Sequence, residues 1–114
     1  MRRDVVVNAA EFRALALSLP EAIESAHMDH PDFRVGGKIF ASLGYPDDEH
    51  AAVLLPPEDQ ARYVADAPKV FTPAKGAWGR NGGTQVRLAT VNRKIIKEAL
   101  ELAWRKRAPK RLLK

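Results

Sequence analysis

Cysteine is absent from the 114 residues of the chain. Disulfides, thiolate nucleophiles and cysteine-ligated zinc are excluded with it, and the absence fits a reducing compartment. No apolar run approaches the roughly 18 residues that a membrane-spanning helix needs. The opening MRRDVVVNAAEF is basic but has neither the apolar segment nor the small-residue cleavage site of a secretory signal, so a cytoplasmic protein without membrane attachment is expected. Ser18, Ser25, Ser42, Thr72, Thr84 and Thr90 stand in no nucleophile motif. The GRNGG stretch at 79–83 lacks the lysine and hydroxyl of a phosphate loop, and no helix follows it directly. These gaps give catalysis little footing. The expectation is a non-enzymatic protein with no cofactor.

What is present is ordinary for a globular protein: 46% hydrophobic and 29% charged residues. The length suits one domain over residues 1–114 that buries its own core, and a monomer is expected. The net charge of +5 is unevenly spread. Residues 92–114 carry nine Lys/Arg against Glu98 and Glu101, whereas residues 1–91 hold ten basic and twelve acidic groups. All of the positive excess therefore lies at the C-terminal end, densest in the tail at about 105–114. Such asymmetry points to a negatively charged partner or to a helix kept soluble by its charge.

Asn8 followed by Glu11 has the form of a capping box, and Phe12, Leu15, Ala16 and Leu19 form one helical stripe, so a helix is expected over 9–19, stopped by Pro20. Residues 22–28 read as a first strand of imperfect alternation, and DHPD as a turn. FRVGGKIFASL is a hairpin, because Gly36-Gly37 takes the positive φ of a tight primed turn cheaply. GYPDDEH is a loop and AAVLL a central strand. PPEDQARYVADAP is a helix with Pro57 at its start and Pro68 at its end. Residues 69–91 read as extended, with a second turn at Asn81–Gly83 and a strand in TQVRLAT. Asn92 caps a last helix with a stripe of Ile95/Ile96, Ala99/Leu100 and Ala103, ending near Arg107 ahead of Pro109. The order is α-β3-α-β2-α. It implies an α+β fold: an antiparallel sheet of about five strands with helices packed on one face. No repeat, linker or low-complexity segment interrupts it.

The pieces EFRALALSLPEAIES, DFRVGGKIFASL, PPEDQARYVADAPKVFTPA and VRLATVNRKIIKEALELAWRKRAPKRL, in that order, resemble the MmcQ/YjbR family of small bacterial proteins over roughly residues 9–113. The resemblance implies a compact sandwich of the YjbR-like type, also called frataxin-like or secretion-chaperone-like. It also implies DNA binding, through wing-like hairpins and basic surface. The wings would be the Gly36-Gly37 hairpin and the turn at Arg80–Gly83. The second of these reads AWGRNGGTQVRL here, with Trp78 ahead of the turn rather than at its tip.

Lys97, Arg105, Lys106, Arg107, Lys110 and Arg111 are dense enough to meet several phosphates at once, and Arg80 and Arg87 extend the patch if the second wing lies beside the last helix. A bland reading competes: cations favour a helix C-terminus, and Glu101 to Arg105 is a well-oriented i,i+4 pair. Trp104 is expected to pack inward. Nothing resembles a recognition helix, so any contact would be sequence-tolerant. His27, Asp29, His30 and Asp32 are metal-ligand types, as is the acidic PDDEH loop, but neither spacing matches a standard site, and no metal is expected. The first helix has Glu11 as its one acid, which leaves an iron-binding acidic helix unsupported. The alternative to DNA is a protein-interaction module, marked by an exposed apolar patch around Phe33, Ile39 or Tyr45.

Overall fold

The computed structural model describes residues 7–44 and 47–113. Tyr45, named above, and Lys114, one of the nine C-terminal cations, lie outside the described residues. The elements are α1 (Ala9–Leu17), β1 (Ile23–His27), β2 (His30–Val35), β3 (Lys38–Leu43), β4 (His50–Leu54), α2 (Pro57–Asp66), β5 (Phe71–Pro73), α3 (Gly76–Arg80), β6 (Gly83–Arg87) and α4 (Arg93–Arg107). A 3-10 turn at Lys110–Leu112 follows.

All six strands join one antiparallel sheet in the order β1-β2-β3-β4-β6-β5. The α+β class and the antiparallel sheet are as expected; the count and order are not. Four strands, not three, precede α2, because residues 23–27 and both arms of the glycine hairpin each pair separately. The chain passes from β4 to β5 at the sheet edge through α2, and β6 then returns between them to pair with both.

The neighbouring strands β5 and β6 are joined through α3, which the extended reading of residues 69–91 missed. It carries two glycines and no apolar period, so no sequence signal marks it. Tertiary packing makes it. A Cβ on Gly79 would stand 1.7 Å from the Ala74 carbonyl oxygen, and one on Gly82 1.8 Å from that of Leu55. The Gln60 side chain of α2 donates to the carbonyls of Gly79 and Gly83, both at 3.0 Å. The segment expected to be a second wing is thus pressed against the body.

Register divides the sheet into two faces. Phe33, Ala41 and Val53 pair in sequence across β2, β3 and β4, while Leu43, Ala51, Val86 and Phe71 pair across β3, β4, β6 and β5. These side chains are buried with Phe12, Leu15 and Ala16 of α1 and Ile96, Ala99, Leu100, Ala103 and Trp104 of α4. The opposite face carries Ser25, Asp32, Ser42, Ala52 and Gln85. Against it lies Trp78 of α3, whose ring sits on Gly83, where any Cβ would meet it at 2.7 Å. Helices therefore occupy both sides, with α3 the exception to the one-face expectation.

The helix caps follow the sequence closely. Asn8 and Glu11 make the reciprocal capping box, with Glu11 N donating to Asn8 Oδ1 at 2.8 Å. Asn92 Oδ1 accepts from Lys94 N at 2.7 Å at the start of α4. α1 ends two residues before the expected position, with Ser18 as its C-cap. α2 is tied to α4 by the Tyr63 hydroxyl, which donates to Glu98 at 2.7 Å; burial, followed by that carboxylate, raises the phenol pKa.

The β1–β2 connection is a two-residue turn without glycine. Met28 and Asp29 have φ of 49° and 68°, the left-handed conformations of a primed turn. A side chain there is strained. The double substitution Met28→Asn, Asp29→Gly is expected to raise stability by about 0.5–1 kcal/mol, read as a higher urea midpoint at unchanged slope. A midpoint that stays put or falls would show that the turn stores no such strain.

Candidate functional site

The basic C-terminal end is docked rather than free. Trp104 Nε1 donates to the Pro20 carbonyl at 3.0 Å, confirming the inward packing of this ring. Lys106 Nζ donates to the carbonyls of Asn81 at 2.7 Å and Leu55 at 3.1 Å. Desolvation, with repulsion from Arg107, lowers its pKa. Pro109 sits against Gly36 of the hairpin, at 3.1 Å from where a Cβ would stand. Ala108 and Leu112 pack on the core. Arg111 makes a bidentate pair with Glu21, at 2.7 and 2.9 Å.

These contacts sort the eight residues expected to meet phosphate. Lys106 and Arg111 already spend their charge within the fold. Arg80, Arg105 and Lys110 are exposed at the end of the molecule where α4 terminates; Arg80 adjoins the Asn81 carbonyl that Lys106 grips, and Lys110 follows Pro109. Arg107 joins this end but turns toward the second sheet face, as described below. Lys97 is exposed on α4, eight residues before Arg105, or about 12 Å along the axis.

Arg87 is not brought to this group. It pairs with His50 at the far end of β6, whereas Gly82 and Gly83 mark the near end. Its surroundings are acidic: its charge helps lower the pKa of Asp47, behind larger contributions from the His50 and Glu49 hydrogen bonds. The sequence reading placed Arg80 and Arg87 together because it made both flank one wing. Four residues of strand separate them instead, and a strand advances about 3.3 Å per residue. The Glu101–Arg105 pair of the bland reading is not among the ion pairs of the described residues either.

The second sheet face holds a constellation that the sequence reading named only in pieces. Asp32 is buried, with no exposed side-chain surface, and accepts from Arg34 Nε at 2.7 Å, Arg34 Nη2 at 3.0 Å and bonds His27 Nδ1 at 2.8 Å. A buried carboxylate persists only when so compensated. The Arg34 guanidinium, aided by His27, holds the Asp32 pKa below the usual carboxylate range despite the opposing push of burial. His27 and His30 face each other across the β1–β2 turn, with ring centroids 6.2 Å apart. His27 therefore shares a face with His30. The signal was register: a two-residue turn at Met28-Asp29 puts 27 opposite 30 and 25 opposite 32.

Around this triad lies an open cavity of about 540 Å³, lined by His27, Arg34, Lys38, Ile39, Ser42, Trp78 and Arg107, with Gly37 at its rim. The elements β1, β2, β3, α3 and α4 all contribute. Of the described residues that would mark an apolar interaction patch, Phe33 is fully buried and Ile39 lines the cavity.

A model of the YjbR family matches residues 17–106. The chain belongs to the YjbR family. The match spans the sheet, α2, α3 and nearly all of α4, so the YjbR region includes Lys106 and every strand-borne residue of the cavity. No curated protein matches the chain. Among solved structures, this YjbR chain is similar to the crystal structure of Deinococcus radiodurans protein DR2400, which carries the family-model domain DUF419. The two share 19% identity with a TM-score of 0.74, covering 87% of this chain and 77% of the other. That likeness is one of fold. No helix among the described residues is long and apolar enough to cross a membrane.

Two outcomes check this geometry. Replacing Lys106 with Ala is expected to cost about 1 kcal/mol, because the Asn81 and Leu55 carbonyls lose their donor, while Arg105→Ala stays within about 0.5 kcal/mol; equal effects in urea melts would mean that the lysine has no structural part. Asp32 contributes stability that is complete above its unfolded pKa of about 3.9 and drains away as pH falls through its lower native value. Asp32→Asn is therefore expected to be about 2 kcal/mol less stable than the parent at pH 7, with the gap closing below about pH 4. A gap that persists unchanged to about pH 2 would contradict the ion-pair role.

Proposed function

We propose that this YjbR-family protein is a non-enzymatic module that binds nucleic acid weakly and without sequence preference, through the cationic end where α4 terminates. The supporting observation is the convergence there of cations from separate elements: Arg80 of α3, Arg105 and Arg107 of α4, and Lys110 beyond Pro109. Lys106 and Arg111 serve by fixing this end to the body, through Asn81 and Leu55 and through Glu21. Rigid placement lowers the entropy lost when such side chains meet phosphate. Among the described residues no helix presents Asn, Gln and Arg together for base reading, so phosphate contact dominates and affinity depends steeply on salt.

Arg87 and Lys97 are left out of the contact surface for the reasons of distance and acidic surroundings given above. The test is fluorescence anisotropy of labelled duplex and single-stranded DNA across a salt series. The parent is expected to bind with a steep log–log salt slope. The triple variant Arg80→Gln, Arg105→Gln, Lys110→Gln is expected to flatten that slope by about 2–3, whereas Arg87→Gln leaves it unchanged. Absence of binding at low salt, where electrostatic attraction is least screened, would overturn the reading.

One observation favours a second reading, a protein-interaction module. β1 is exposed along its whole length, with Ile23 58% and the neighbouring Met28 87% exposed, and no further strand lies beside it among the described residues. An exposed edge strand offers unpaired backbone groups to a partner strand.

A further inference from the structure

The cavity on the second sheet face has features that the binding of a phosphate backbone does not use. Its charged lining is cationic: Arg34, Lys38 and Arg107 all reach it. Asp32 lies fully buried beneath and is already shared by Arg34 and His27. Lys38 and Arg107 belong to no ion pair among the described residues. Arg107 Nε is moreover buried with no hydrogen-bond partner among the described residues. Such a donor carries a desolvation cost that an acceptor from a ligand would offset.

The rest of the lining is suited to a flat, less polar group. Trp78 and Ile39 supply the apolar surface. The tryptophan is placed firmly, because its ring rests on the bare backbone of Gly83 and its helix is held by Gln60. Arg34 is equally fixed, since Asp32 engages its Nε and Nη2, and Nη1 makes no hydrogen bond among the described residues. The His27 ring is oriented through Nδ1 by the same carboxylate, which leaves Nε2 on its other side. A volume of about 540 Å³ falls within the range of small-ligand sites.

We propose that this cavity is a nucleotide site, in which a planar base lies along Trp78 and Ile39 while the phosphate is held by Arg34, Lys38 and Arg107. An aromatic face accepts any base, and guanidinium groups match phosphate oxygens in paired hydrogen bonds. The same chemistry is offered by a free nucleoside monophosphate and by one unstacked nucleotide of a single strand. A base inside a duplex cannot reach the site without leaving its stack. The inference goes beyond the phosphate contacts proposed above and does not require them.

The chain has two tryptophans, Trp78 and Trp104, and Trp104 is buried against Pro20. Adenosine monophosphate, adenosine, inorganic phosphate and a short single-stranded oligonucleotide are titrated while Trp78 fluorescence is followed in a Trp104→Phe variant. The indole N–H resonances of the parent protein give the same readout without any substitution. Adenosine monophosphate or the oligonucleotide is expected to quench Trp78 saturably, with adenosine and phosphate at least about 10-fold weaker and Arg107→Gln weakening the nucleotide by about 10-fold or more. Quenching by the monophosphate alone identifies a free nucleotide as the source; stronger quenching by the oligonucleotide identifies a strand. A Trp78 signal that neither ligand moves at millimolar concentration, or that moves equally with Arg107→Gln, overturns the proposal. Duplex binding with a silent Trp78 refutes the cavity site alone, and a responsive Trp78 without any duplex binding refutes the exterior contacts alone.

Discussion

The stripe Ile96, Ala99, Leu100, Ala103 and Trp104 on α4 is buried against one face of the sheet, and the placement of almost everything else depends on it. Burying large apolar side chains contributes about 1.5–3 kcal/mol each, so Ile96, Leu100 and Trp104 fix the helix axis firmly across β3 and β4. With 15 residues, α4 then runs about 22 Å, from the acidic end of the sheet near Arg87 to the opposite end at Leu55 and Gly82. Its last turn emerges beyond the strands. There Lys106 finds two backbone carbonyls and Arg107 reaches the second face. One apolar contact thereby decides which cations are structural, which are exposed and which line a cavity.

The second face works by a different rule. It is built around a buried carboxylate rather than around apolar volume. Asp32 would be costly there alone, so Arg34 and His27 are drawn to it from the same strand and the neighbouring one. The compensation fixes both side chains in position as it stabilises the charge. α3 adds Trp78 from the other direction, at a place where Gly79, Gly82 and Gly83 permit backbones to approach as no residue with a Cβ could. Rigid polar groups on one side and a rigid aromatic on the other give the cavity its shape before any ligand arrives. This is the condition for binding without a large ordering cost.

Much of the fold was legible in the residues because it rests on local chemistry. Asn8 with Glu11, Gly36-Gly37, Pro57 and Asn92 each act within a few residues of themselves, and each performs as read. The apolar stripe of α4 was legible by period. The resemblance to the YjbR family, carried by the order of four segments, agrees with the family match over residues 17–106. The site was less legible. The charge excess of residues 92–114 was correctly seen, but the grouping of the eight basic site residues was not. Lys106 and Arg111 find partners 25 to 90 residues away in sequence. The misplacement of Arg87 followed directly from reading residues 69–91 as one hairpin.

Composition, caps and periodicity by themselves determined an α+β chain with an antiparallel sheet, a basic last helix, and no cysteine chemistry. They did so because those properties depend on near neighbours and on residue type. Only the tertiary structure decided that β6 slips between β4 and β5, that α3 forms at all, and that His27, Asp32, Arg34, Trp78 and Arg107 surround one cavity. Strand order, close glycine contacts and the sharing of a buried charge are settled by packing between distant segments. No local window of the sequence contains that information.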